Sequence, residues 1–241
     1  MTSVKLKAAN LAQLSASIAT PQYDRANLRP GIVHISLGAF HRAHQTVYAD
    51  DLFNQAPENA EHWGICSVGA LPHDEIQCRR LKGQDNLYTV VTRDEGHDQA
   101  RIIGSIAKIM HAPSDPGGVL SQMADENTKI VSLTVTERGY GHDPATGKLD
   151  TNRSDVAADL MMPKRPKTAI GYVVEGLWRR REEGLPAFTV MSCDNLQKNG
   201  SLTRDLVIEF ATKRDPALAD WIAKNASFPN SMVDRITPAT T

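Results

Sequence analysis

The sequence predicts an α/β fold, a doubly wound and mainly parallel sheet with helices on both faces. Three observations predict it. Short apolar, β-branched runs alternate with longer segments of helical period, the pattern of parallel strands joined by crossover helices. One run, Lys129–Thr136, is apolar and β-branched throughout, as expected of a strand buried on both faces. The stretch Gly31–Gln45 passes from an apolar strand through small residues into a helix, which is how a domain of this class begins.

The elements follow in order. A short amphipathic helix is expected around Leu11–Ile18, then a loop to Pro30. The strand Gly31–Leu37 leads into a helix over Phe40–Asn54. A second strand, Trp63–Gly69, ends in Ala70-Leu71-Pro72, and a helix runs from Asp74 to Gly83. Two β-rich runs, Leu87–Thr92 and Ala100–Ile106, flank the polar turn Arg93–Asp98, which reads as a hairpin. Asp115-Pro116 opens a helix reaching Glu126. After Lys129–Thr136, the Gly-bearing segment Glu137–Asp150 reads as a functional loop. Helices are expected at Ser154–Met161 and Lys167–Glu183. The second ends in Arg179-Arg180-Arg181 before Gly184, a solvated cationic end with a glycine cap. Phe188–Ser192 is the last strand. Asp194 or Asn195 then caps a helix to Lys213, and Pro216–Ala226 forms another.

The chain has 241 residues, 41% hydrophobic and 23% charged, the profile of one large or two small globular domains. A net charge of -1 gives no electrostatic case for nucleic acid or an anionic membrane. No apolar run is long enough to span a bilayer, and the N-terminus lacks the apolar core of a signal peptide. Cys66, Cys78 and Cys193 lie far apart, so neither a disulfide framework nor a zinc knuckle is indicated. A reducing cytoplasm is the expected compartment.

Right-handed crossovers place the strand ends Leu37, Gly69, Thr136 and Ser192 along one edge, where ligands bind in this architecture. The first turn approximates the glycine fingerprint of a dinucleotide site. Ser36 stands at the first glycine position, Gly38 at the second and His41 at the third. The other reading is an ordinary strand–turn–helix. Asp74, just past the second strand, either accepts from adenosine ribose hydroxyls, favouring NAD over NADP, or caps the next helix; the two roles are compatible. His34, His41 and His44 lack a completing carboxylate and read as structural or cofactor-packing groups rather than metal ligands. Ser192-Cys193-Asp194-Asn195 is either a helix cap or a source of an amide donor, Asn195, for a developing alkoxide. There is no P-loop and no nucleophile elbow. None of the five tyrosines is followed four residues later by lysine, so the short-chain dehydrogenase pair is missing.

Four stretches together resemble the polyol-specific long-chain dehydrogenase family, which includes mannitol 2-dehydrogenase and fructuronate (mannonate) reductase. They are Gly38–Gln45, Asp143-Pro144-Ala145-Thr146-Gly147, Ser192–Asn195 with Asn199-Gly200, and Phe228–Pro238. They stand in the family's order and cover nearly the whole chain. The resemblance implies an N-terminal Rossmann-like NAD-binding domain over 1–241. It implies hydride transfer between NAD(H) and a secondary alcohol or ketone of an open-chain polyol or aldonate. It assigns cofactor binding to Ser36, Leu37, Gly38, Ala39, Phe40, His41, Arg42 and Asp74. Asn195 is matched to an amide that holds the reacting oxygen, and Asp234 to a carboxylate near proton transfer; an ion pair is the other reading of Asp234. The departures are Ser36, where the family has glycine, and Gly69-Ala70-Leu71, which lacks an arginine. The family's catalytic lysine motif, from a helical C-terminal domain, is also absent, so this chain is expected to be the cofactor-binding part, inactive by itself. A non-catalytic nucleotide-binding or association module is the competing reading.

Overall fold

The computed structural model describes residues 5–94 and 96–237. The strands are β1 (Pro30–Ile35), β2 (Gly64–Gly69), β3 (Tyr88–Asp94), β4 (His97–Ile103), β5 (Ile106–His111), β6 (Ile130–Leu133) and β7 (Thr189–Ser192). The helices are α1 (Ala39–Ala43), α2 (Gln45–Gln55), α3 (Ala60–Trp63), α4 (Glu75–Lys82), α5 (Pro116–Ala124), α6 (Thr136–Gly139), α7 (Ser154–Met161), α8 (Ala169–Glu182), α9 (Asn199–Arg214) and α10 (Pro216–Asn225). Five strands form one sheet in the order β5-β2-β1-β6-β7, and every ladder in it is parallel. Strand order reverses at β1, so the switch point lies between β1 and β6. β3 and β4 form a separate antiparallel hairpin; Glu95, within its expected turn, lies outside the described residues.

The two faces of the sheet differ. On one, Val33, Ile35, Cys66, Val68, Val131, Leu133 and Val190 pack into the main apolar core with side chains of α5, α8, α9 and α10. On the other, His34 of β1 lies in register with Ser67 of β2 and Ser132 of β6, under α1 and α2. A smaller apolar cluster beside this row joins Ile106 and Ile109 to Cys78 and Leu81 of α4.

Several local expectations are corrected. Leu11–Ile18 is not an amphipathic helix. A 3-10 turn over Ala8–Gln13 buries no residue, and so short a helix gains nothing without tertiary packing. The helix expected over Phe40–Asn54 is broken at His44 (φ -126°, ψ -74°), where the Thr46 hydroxyl donates to the Arg42 carbonyl and caps α1. Ala100–Ile106 is not one strand. Tertiary bonds divide it at Gly104 and Ser105, with the Gly104 amide donating to Asp50 Oδ1 (2.9 Å) and the Ser105 hydroxyl to the Thr46 carbonyl (2.7 Å). The chain then supplies β5, an edge strand unforeseen beyond Ile106. Arg180 is not a solvated helix end. Its side chain is 1% exposed and donates to the carbonyls of Pro186 (2.6 Å), Asp125 (2.7 Å) and Thr128 (3.1 Å). Neither Asp194 nor Asn195 caps α9, which starts at Asn199 after Lys198 in a left-handed conformation.

Candidate functional site

The carboxyl ends of β1, β2, β6 and β7 open onto one cleft of about 720 Å³, within the ~300–1,000 Å³ typical of small-ligand sites. The first wall is the turn after β1. The Ser36 amide continues the sheet by donating to the Val68 carbonyl (3.0 Å), and this holds Ser36 at φ +146°, a region that favours glycine. The strain expected of serine at this position is therefore present, at about 1–3 kcal/mol. Its hydroxyl oxygen accepts from the Gly38 amide (3.1 Å). Gly38 itself has an ordinary φ of -68°. A Cβ there would meet only Ser36 Oγ, at 3.4 Å, so its other side is open for close backbone approach.

Of the segment assigned to cofactor binding, Ser36, Gly38, Ala39 and Phe40 line the cleft. Leu37 points into the apolar cluster with Cys78 and Leu81. Arg42 folds back, its Nε donating to the Leu37 carbonyl (3.2 Å). His41 is buried beneath the turn.

Asp74 stands at the β2 wall. It does not cap α4. Its Oδ2 accepts from the Leu71 amide (2.9 Å) in the 3-10 turn before that helix. Oδ1 lies 3.8 Å from His73 Nε2 and makes no hydrogen bond among the described residues.

The β6 and β7 ends are locked together. Asp194 accepts from the amides of Val135 and Thr136 (both 3.0 Å) and from the Tyr140 hydroxyl (2.7 Å), which also meets Ser192 Oγ at 2.5 Å. Burial, reinforced by the Asp194 charge, raises the Tyr140 pKa, so the phenol stays a donor. The clamp holds Thr136 at φ +62°, a strained setting for a β-branched residue. Burial pushes the Cys193 thiol up to about 11, so it is protonated at neutral pH and unsuited to nucleophilic work.

Asn195 lines the cleft and is exposed. Asp234 is exposed and is not among the residues that line the cleft, although its chain neighbours Val233 and Arg235 are. The strand-like stretch leading to them is tied to the sheet. The Val190 amide donates to the Ser227 carbonyl (2.9 Å), and Asn199 exchanges bonds with Ser231. Gly200 is required there, because a Cβ would lie 2.2 Å from the Pro229 carbonyl oxygen. Pro238, which closes this motif, lies outside the described residues.

Sequence reasoning missed four cations in the walls: Arg138, Arg153, Lys167 and Arg235. Arg153 is neutralised by a fork to Asp155 (2.7 and 3.1 Å). The side chains of Arg138, Lys167 and Arg235 meet no carboxylate among the described residues. Only Arg138 carried a signal, its place just after the end of β6.

His34 and His41 stack beneath the cleft floor, centroids 3.8 Å apart and 6° from parallel. Burial lowers both pKa values, that of His41 to about 4. All four ring nitrogens have side-chain partners, whereas His44 packs against Phe40 instead. Among the described residues no group of three or more His, Cys, Asp or Glu is placed to hold a metal ion, and no helix is long and apolar enough to cross a membrane.

Residues 30–241 match the family model described as the mannitol dehydrogenase Rossmann domain. A mannitol 2-dehydrogenase of Phaeosphaeria nodorum is 45% identical over 98% of this chain and 41% of its own length. A D-mannonate oxidoreductase of Escherichia coli is 47% identical over 93% of this chain and 46% of its own length. The solved Pseudomonas fluorescens mannitol 2-dehydrogenase, a ternary complex with NAD and D-mannitol, superposes with a TM-score of 0.94 at 42% identity, covering 99% of this chain and 48% of that one. The chain thus spans about half the length of the curated relatives it matches.

Proposed function

The chain belongs to the mannitol dehydrogenase family, and from that premise we propose that its cleft binds NAD(H), as the cofactor-binding part of an oxidoreductase acting on open-chain polyols or aldonates. The observation that carries this reading is the charge layout of the cleft. A carboxylate, Asp74, whose Oδ1 accepts no hydrogen bond among the described residues, stands at the β2 end, and Arg138, Lys167 and Arg235, which meet no carboxylate among those residues, line the same cleft. A dinucleotide needs both: an acceptor for ribose hydroxyls and positive charge for its pyrophosphate. The Asp74 charge also repels a 2′-phosphate, which favours NAD over NADP.

When bound, the nicotinamide supplies a hydride acceptor at C4. Ser36, Gly38, Ala39 and Phe40 form the wall that receives the phosphates. Asn195 presents a neutral amide donor to the substrate oxygen as its charge develops. Asp234 lies on the segment that reaches the same opening and is assigned to the proton-transfer side. Mannitol/fructose and mannonate/fructuronate are the substrate pairs suggested by the relatives' names. No residue of this chain is assigned the general acid/base role.

The test is titration of the chain with NADH by calorimetry or nicotinamide fluorescence, with Asp74→Ala alongside. Saturable binding is expected, with a preference over NADPH that the substitution weakens. A folded sample that binds no NADH at millimolar concentration would overturn the reading.

A further inference from the structure

We propose that the Thr134 hydroxyl is a ligand-directed hydrogen-bond donor in the cleft, its proton aimed there by a one-way chain of buried donors that starts at Ser67. The proposal rests on the reading of the cleft as a dinucleotide site.

The direction of the chain follows from counting protons. Ser67, His34, His41 and Ser132 are fully buried. The Ser67 hydroxyl has one side-chain partner among the described residues, His41 Nε2 at 2.8 Å, so its proton goes there. A neutral His41 then carries its own proton on Nδ1 and donates to Gln45 Oε1 (2.8 Å). The other end of that amide, Nε2, donates to Ser132 Oγ (3.0 Å). The Ser132 proton has one acceptor left, His34 Nδ1 at 2.8 Å. A neutral His34 is therefore protonated on Nε2 and donates to Thr134 Oγ1 (2.8 Å). The Thr134 proton finds no acceptor among the described residues, and Thr134 lines the cleft.

Both rings must be neutral for this direction to hold. Full burial lowers both pKa values, and two stacked imidazolium ions would repel each other. Each donor in such a chain polarises the next, so the last hydroxyl is a stronger donor than an isolated threonine. Thr134 follows β6 beside β1, at the switch point. Its target is an acceptor oxygen of the ribose–phosphate frame of the dinucleotide.

The test uses Thr134→Val, which keeps the shape and removes the donor, and Thr134→Ser, which keeps the donor. NADH affinity is expected to fall about tenfold in the first, the value of one hydrogen bond, and to stay within about threefold in the second. ¹⁵N spectra of the imidazoles supply a readout that simple packing would not move. His34 should carry its proton on Nε2 in the free chain, and that nitrogen's shift should respond to NADH in the native chain but not in Thr134→Val. A His34 protonated on Nδ1 overturns the proposal whatever binds. Undiminished NADH affinity in Thr134→Val overturns it while leaving the dinucleotide reading intact. No NADH binding by the native chain removes the reading and the proposal together.

Discussion

On one face of the sheet, Val33, Cys66 and Val131 lie in register and disappear into the apolar core. One residue further along the same three strands, His34, Ser67 and Ser132 lie in register on the other face and enter a hydrogen-bonded chain. Both rows are fully buried. The apolar face is held by area and close packing, which have no direction and tolerate many side-chain choices. The polar face is held by directional bonds, each of which becomes a cost if its partner is lost. The first kind of burial fixes that the sheet is covered. The second fixes where individual atoms sit, and it lies directly beneath the cleft that needs such accuracy.

Four measurements sharpen or break this contrast, the largest effect first. Phe210→Ala, on the apolar face, should lower unfolding free energy in urea by about 3–5 kcal/mol, with the cavity adding to the lost transfer energy. On the polar face, stability should depend on pH. The folded pKa of His41 is about 4 against 6.5 for the free side chain, so between those values the unfolded chain holds the proton that the folded chain rejects. Its contribution, about 3 kcal/mol, is fully present above pH 6.5 and is lost as pH falls toward 4. Urea melts across that window should show the decline, and a flat profile would mean the ring is charged in the fold.

His41→Leu should remove the His41 part of that pH dependence and leave the part due to His34, whose pKa burial also lowers. It should also cost about 2 kcal/mol near neutral pH, since the Ser67 hydroxyl and the Gln45 carbonyl lose their partner. The smallest effect belongs to the cleft rim. Thr136→Gly should stabilise the chain by about 1 kcal/mol by relieving φ +62°, visible as a higher denaturation midpoint. A loss of stability there would mean that the side chain packs more than it strains.

The sequence was most readable where burial is apolar. The run Lys129–Thr136 holds β6, although the strand stops at Leu133 and Thr136 opens α6, and the helix expected at Ser154–Met161 is α7. It was least readable where a polar side chain settled the outcome from far along the chain. Asp194 reads as a cap for the helix that follows, yet it holds amides at Val135 and Thr136. Arg180 looks like a solvated helix end beside two other arginines, yet it ties the loops at Asp125 and Thr128 to α8. Nothing local distinguishes these residues from ordinary surface charges. The cleft was legible at Ser36, Gly38, Phe40, Asp74 and Asn195 because strand ends and turn chemistry are local signals. Arg138, in α6, and Lys167, in the connection to α8, were not, because those segments reach the cleft only after folding.

The sequence by itself determined the alternation of strands and helices, the parallel class of the sheet and the edge at which its strands end, because apolar periodicity and glycine or proline punctuation act within a few residues. Only the tertiary structure decided the break at His44, the separation of β4 from β5, the pairing of each buried polar group and the set of cations facing the cleft. Hydrogen bonds and charges find partners by distance in space, and that distance is set only when the sheet has closed.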